Sequence, residues 1–248
     1  MLWGIHPVVE GLAKEPETFS EIILQREKQG SKIQQIIEHA RKHKIKLSYC
    51  HSIKISGESG TTVKHQGVVA RRSSTPLVPF DRFLAALLAK CETKAKVRIL
   101  VCDCIQDPHN LGAIIRSALA SGAEGIIVTR ERSAPVGGAA AKASAGALAH
   151  IDICQVTNLS TTLKKLKDSG FWVYGAVKDH SAQSLFQCQF ADRACLVVGS
   201  EGKGIRPLVK KECDVLLSIP MKGELDSLNS SVAAGILLFE ALRQEILG

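Results

Sequence analysis

The period of the apolar positions changes along the chain. From residue 97 onward, short apolar runs alternate with segments whose apolar residues recur every three or four positions. VRILVCDC, GIIVT, HIDICQV, FWVYGAV, ACLVVG and DVLLSIP read as strands. Between them, Asn110–Ser121, AAAKASAGALAH, LSTTLKKLKDSG and IRPLVKKEC read as helices, and SSVAAGILLFEALRQEIL closes the chain as another. Strand–helix alternation at this pitch predicts an α/β fold with a mostly parallel sheet covered on both faces. The closing helix is apolar almost all the way round from Val232 to Phe239, which predicts burial within the chain or between subunits.

The first part of the chain reads as a small α/β unit of its own. EIILQ, IKLSYC and HQGVVARR are strand-like, and SKIQQIIEHARKH places Ile33, Ile36, Ile37 and Ala40 at helical spacing. Arg71-Arg72-Ser73-Ser74-Thr75-Pro76-Leu77-Val78-Pro79 combines charge, small polar residues and two prolines, the composition of a linker. The expected division is residues 1–72, a linker and first helix over 73–90, and a larger domain over 91–248.

Charge sharpens this division. The formal net charge is +8, of which residues 1–75 hold 12 Lys+Arg against 7 Asp+Glu. A basic N-terminal unit suits a polyanionic partner. Arg41, Lys42, Lys44, Lys46, Lys64, Arg71 and Arg72 are the candidate contacts; for each the alternative is a merely solvated face. The eight cysteines form no CxxC pair and no zinc-ligand spacing with histidine, so reduced thiols and no metal are expected. With neither a signal peptide nor an apolar run long enough to span a bilayer, the expectation is a cytoplasmic protein with no membrane association.

Candidate chemistry gathers at strand ends. Arg116 is the only charge between Asp107 and Glu124, on a helix otherwise made of apolar and small residues. A guanidinium does not shed its charge, so if that helix is largely buried Arg116 must meet an anion. Asn110 stands where the helix begins, a place that also fits a plain N-cap. Gly199-Ser200-Glu201-Gly202-Lys203-Gly204 has neither the dinucleotide-binding nor the P-loop spacing, which disfavours a nicotinamide dehydrogenase. Ligands of open α/β sheets gather beyond the carboxyl ends of strands. Asn110, Arg116, Glu201, Ser227 and Asn229 follow three such ends. The expectation is that they converge, with Glu201 as the carboxylate partner of Arg116. Ser227 and Asn229 also fit a cap of the last helix.

At these residues the chain resembles a known family. DPHNLGAIIRSALASGAEGIIV, VVGSEGKGIRPLVKKECDVLLSIPM and SLNSSVAAGILLFEALRQ are similar to the three motifs of the SpoU (TrmH-like) ribose methyltransferases of the SPOUT class. WGIHPVVEGL and VKHQGVVAR resemble the family's substrate-binding domain. The whole-length pattern is most similar to members that methylate a guanosine 2′-oxygen in 23S rRNA. The resemblance implies a C-terminal trefoil knot, a homodimer through the knotted domain, and a small ribosomal-protein-L30e-like RNA-binding domain at the N-terminus. It implies S-adenosylmethionine as methyl donor, held by Gly199, Ile219 and Leu228 largely through backbone groups. Asn110, Arg116, Glu201, Ser227 and Asn229 match the family's catalytic and substrate-positioning residues. In the expected roles Arg116 grips an RNA phosphate and steadies the developing alkoxide, Ser227 and Asn229 position the 2′-oxygen, and Asn110 orders the loop around Arg116. The alternatives are the same chemistry on tRNA or another rRNA position, and an rRNA-binding assembly factor without activity.

Overall fold

The computed structural model describes residues 1–26, 28–53, 65–72, 77–179, 181–222 and 227–247. Lys64 and the linker residues 73–76 lie outside the described residues. The chain divides into two units, Met1–Leu77 with Pro135–Gly138, and Val78–Ala134 with Ala139–Gly248.

The first unit runs β1 (Leu2–Trp3), α1 (Ile5–Lys14), β2 (Phe19–Gln25), α2 (Ser31–Lys42), β3 (Lys46–Cys50) and β4 (Val68–Arg72). The strands form a four-stranded sheet in the order β1-β4-β2-β3, in which only β2 and β3 are parallel. α1 and α2 place Val8, Leu12, Ile33, Ile36 and Ala40 in a core shared with Phe19, Ile22, Leu24, Val68 and Ala70 of the sheet. Sequence reasoning did not delineate β1 and α1. Glu21 on β2 is buried and charged, and it is satisfied by three groups. Arg71 lies 3.1 Å away, Lys46 3.3 Å away, and Ser48 donates a hydrogen bond of 2.6 Å.

The second unit runs α3 (Phe80–Thr93), β5 (Val97–Asp103), α4 (Pro108–Ala120), β6 (Gly125–Thr129), α5 (Ala139–Ala143), β7 (Ile153–Val156), α6 (Leu159–Asp168), β8 (Trp172–Ala176), β9 (Gln183–Ser184), β10 (Arg193–Gly199), α7 (Pro207–Lys210), β11 (Val215–Ser218) and α8 (Ser230–Leu247). Its seven strands are all parallel, in the order β7-β6-β5-β10-β8-β11-β9. β10 enters between β5 and β8, and β11 between β8 and β9, so two late strands lie between earlier ones. Every residue of β5 and β6 is buried, as parallel strands covered on both faces require. Val97, Ile99 and Val101 of β5 pack with Phe83 and Leu87 of α3, Leu159, Leu163 and Leu166 of α6, and Val209 of α7. α4 and α8 pack together and supply nothing to that cluster, so they cover the other face.

One sequence expectation is corrected here. AAAKASAGALAH is not one helix. α5 ends at Ala143, Ala145 and Gly146 take positive φ of 49° and 89°, and a short 3₁₀ turn follows at Ala147–Ala149. A left-handed residue breaks the helical ladder whatever the propensity of its alanine neighbours. α8 is buried within the chain along one face. Ala234, Leu237, Leu238 and Ala241 face inward, while Val232 and Phe239 remain 49% and 48% exposed.

α4 and α5 meet at a glycine. A Cβ on Gly112 would lie 2.5 Å from Ala143 Cβ and 2.6 Å from the Ala140 carbonyl oxygen. Nothing there yields without moving backbone. Gly112→Ala is therefore expected to cost about 1–3 kcal/mol of stability as overpacking, read as a lower melting temperature in thermal denaturation.

Candidate active site

β5 ends in a fully buried carboxylate. Asp103 is 0% exposed, and it pairs in the β ladder with Gly199 at the end of β10. The chain leaves Gly199, turns, and returns to Asp103 through Arg206. Arg206 donates from its main-chain nitrogen to Oδ2 at 2.8 Å and from Nε to Oδ1 at 2.7 Å. The loop between is tight. Gly204 N–H donates to the Ser200 carbonyl at 2.8 Å, and Gly202 and Gly204 take positive φ of 78° and 63°. A Cβ on Gly199 would sit 2.0 Å from the Gly204 carbonyl carbon, so only glycine lets the loop fold back over the strand end. Sequence reasoning missed both Asp103 and Arg206. The available signal was one acid at the end of the apolar run VRILVCDC.

This loop carries Glu201 to two asparagines. Asn110 Nδ2 donates to Glu201 Oε1 at 2.8 Å, and Asn229 Nδ2 donates to the same oxygen at 2.5 Å. Asn229 Nδ2 also lies 3.1 Å from Asn110 Oδ1 as a donor. No partner for Glu201 Oε2 occurs among the described residues. Asn229 does two jobs. Its Oδ1 accepts from the Ser231 N–H at 2.8 Å and from the Ser231 hydroxyl at 2.6 Å, and its carbonyl accepts from the Ala233 N–H at the start of α8. The cap fixes the amide orientation, because exchanging Oδ1 and Nδ2 would break both sets of bonds.

Two roles expected from sequence are corrected. Asn110 is not the N-cap of α4. Asp107 is, accepting from the His109 N–H at 2.9 Å with Pro108 at the first helical position. Asn110 sits inside the first turn, 9% exposed, with its side chain turned to Glu201. Arg116 is not buried and does not pair with Glu201. Successive helical residues rotate by about 100°. Asn110, Leu111, Ile114, Ile115 and Ala118 therefore share the buried face, and His109, Arg116 and Ala120 share the exposed one. Arg116 has no ion-pair or hydrogen-bond partner among the described residues. Arg116 lies on the opposite face of α4 from Asn110, the residue that meets Glu201.

The remaining candidates lie near this cluster in sequence. Gly199 ends β10, Ile219 directly follows β11, and half-buried Leu228 directly precedes Asn229. Ser227 is exposed and makes no hydrogen bond among the described residues. In the first unit Arg41, Lys42 and Lys44 are exposed. Lys46 and Arg71 share the one carboxylate of Glu21, and Arg72 pairs with Glu15 and stacks over Phe19.

No cysteine offers a nucleophile here. All eight thiols are free, and burial pushes Cys102, Cys154 and Cys213 up to about 12. Burial, aided by the Asp103 charge, also raises Cys104 beside the site. Among the described residues no group of three or more His, Cys, Asp or Glu side chains is placed to hold a metal ion. No described helix is long and apolar enough to cross a membrane.

Comparison with known proteins gives this cluster a family. The profile of the SpoU rRNA Methylase family matches residues 97–239, and that of RNA 2′-O ribose methyltransferase substrate binding matches residues 1–75. The 23S rRNA (guanosine-2′-O-)-methyltransferase RlmB of Xanthomonas campestris is 36% identical over 98% of this chain and 96% of its own. The putative TrmH family tRNA/rRNA methyltransferase YacO of Bacillus subtilis is 38% identical over 97% of this chain and 94% of its own. Among solved structures, a putative RNA methyltransferase of the TrmH family from Porphyromonas gingivalis matches with a TM-score of 0.58 and 26% identity, covering 98% of this chain and 89% of that one. The chain belongs to the SpoU rRNA methylase family.

Proposed function

We propose that the protein transfers a methyl group from S-adenosylmethionine to the ribose 2′-hydroxyl of a guanosine in 23S rRNA, in the cytoplasm. The observation that carries this is the hydrogen-bonded set Asn110, Glu201 and Asn229 at the carboxyl ends of parallel strands, in a chain of this family. Near-full-length similarity to RlmB supports the 23S guanosine as substrate. The N-terminal unit, expected over residues 1–72, docks the RNA through Arg41, Lys42 and Lys44, which are exposed. Late strands β10 and β11 lying between earlier ones support the expected trefoil threading.

The residues present fit the methyl donor. Outside the strand ladders, the peptide groups of Ile219 and Leu228 make no backbone hydrogen bond among the described residues. Ile219 and Leu228 thus offer neutral N–H and C=O groups, the chemistry an adenine edge requires, and Gly199, a ladder residue at the end of β10, is the third candidate. When bound, the donor supplies an electrophilic methyl on a sulfonium. The chain's own residues must orient the 2′-hydroxyl and accept its hydrogen. A guanidinium has no lone pair to accept with. Glu201 has one. Its Oε1 is held by two amides and its Oε2 is open, so Glu201 takes the hydrogen bond from the 2′-hydroxyl. Asn110 and Asn229 hold that carboxylate, and Ser227 contacts the ribose. Arg116 lies about 9 Å along α4 from Asn110 at 1.5 Å per residue, and it grips a phosphate. The exposed apolar face of α8, with Val232 and Phe239, contacts a second copy in a homodimer.

The assay that tests the reading uses purified protein, labelled S-adenosylmethionine, and unmethylated 23S rRNA against tRNA, with the modified nucleotide mapped. Label on a 2′-O-methylguanosine of 23S rRNA is expected. Label on tRNA alone would assign the chemistry to tRNA, and no label on either would leave an rRNA-binding factor. Arg116→Lys keeps the charge and loses the two-pronged donor, and a fall in kcat/KM of about tenfold or more is expected. Near-native turnover would refute the clamp. Asn229→Asp keeps the cap acceptor but sets a second carboxylate beside Glu201. One carboxyl of the pair is then pushed up, so its contribution to stability is present below the ordinary carboxylate range and is lost as pH rises. The melting temperature of this variant should fall further below wild type at about pH 8 than at about pH 5. Phe239→Glu is expected to halve the mass seen by light scattering.

A further inference from the structure

Arg206 closes the loop that carries Glu201 with only part of its guanidinium. Nε meets Asp103 Oδ1 and the main-chain N–H meets Oδ2, so both oxygens of the buried carboxylate are taken. Neither Nη group has a hydrogen-bond partner among the described residues, and the side chain is 39% exposed. An arginine that serves a carboxylate alone commonly turns two parallel N–H groups toward it. Here one edge is anchored and the other is open. Anchoring removes rotamer freedom before any ligand arrives, so less is lost when the open edge binds an anion.

The surrounding charge says which kind of anion. Between Glu201 and Glu212 the chain carries Lys203, Arg206, Lys210 and Lys211 and no acid. Lys203 and Lys211 are exposed, and Lys210 lies 3.4 Å from Asp179. Several cations along one short segment suit a polymer with a charge on every unit better than a small molecule with one carboxylate.

We infer that Arg206 is an RNA-contact residue. Asp103 positions it, and its two Nη groups hold a phosphate of the substrate RNA near the nucleotide to be modified. This rests on the methyltransferase reading for the identity of the RNA, but its test is a binding measurement that needs no methyl transfer. Full-length protein is titrated with in-vitro transcribed 23S rRNA over a series of KCl concentrations. Arg206→Gln should bind about ten- to a hundredfold more weakly at low salt. The slope of log K against log salt should be shallower by about 0.7–0.9, the signature of one lost phosphate contact.

Arg206→Gln leaves the Asp103 carboxylate buried without its cation. The double variant Asp103→Asn/Arg206→Gln replaces the pair by two neutral amides and should show the same shallower slope. Arg206→Lys keeps a cation and should recover it. A wild-type slope in the double variant overturns the inference, as does a Lys variant no steeper than the Gln variants. Calorimetry with S-adenosylmethionine and its decarboxylated analogue covers the rival anion. If the Gln variants keep the wild-type RNA slope and lose the preference for the carboxylated donor, the inference is overturned and Arg206 serves that carboxylate. Wild-type protein that binds 23S rRNA without methylating it would sink the functional reading and leave the slope result standing.

Discussion

A carboxylate sealed at the end of a central strand must find a cation, and Asp103 finds Arg206 in the loop that follows the neighbouring strand β10. Isolated buried charge is among the costliest arrangements a fold can hold, and an ion pair offsets that cost when its remaining lone pairs are also hydrogen-bonded. Here both oxygens are engaged. The geometric consequence exceeds the energetic one. Gly199 is tied to Asp103 by the β ladder and Arg206 by the ion pair, so the loop between them is pinned at both ends to one residue. Glu201 stands two residues into that loop and has little freedom left.

What Glu201 meets is set by two other helix starts. Asn110 lies in the first turn of α4 because Asp107 and Pro108 begin that helix three residues earlier. Asn229 lies at the start of α8 because its own Oδ1 caps Ser231. The same amide then has only Nδ2 to give, and it gives it to Glu201. Folding and site geometry are thus not separable at Asn229. The cap that stabilises the helix also aims the donor, so the contribution a cap makes to stability, about 1 kcal/mol, also holds part of the site in register.

The parts that were legible in the sequence share a physical origin. Parallel strands covered on both faces must be apolar throughout, and VRILVCDC and ACLVVG announce themselves as such. The placement of β10 between β5 and β8 is not legible, because the order of parallel strands leaves no trace in local periodicity. Asn110 fits a cap because Asn caps well, yet the Asp-Pro pair just before it is the stronger helix-start signal. Arg116 misled in the opposite direction. Its neighbours are apolar or small, but Ala113 and Ala120 are alanines that a helix leaves on its solvent side at little cost. The Asp103–Arg206 pair spans 103 residues of sequence, and no local pattern marks a contact of that length.

The groups left half-engaged are the ones with capacity left for a ligand. Oε1 of Glu201 is saturated and Oε2 is open; Nε of Arg206 is committed and its Nη groups are open. Each is fixed by one edge and free at the other, which is how a protein pays conformational entropy during folding so that binding does not have to. Arg116 has no such anchor among the described residues. A long exposed side chain with no partner samples many rotamers, and each must be given up when it is gripped. It therefore contributes less to pre-organisation than Arg206, and more of its order has to come from whatever docks against the exposed face of α4. On the proposed reading the two arginines divide the work. One is set in place by the fold, and the other is set in place by its ligand.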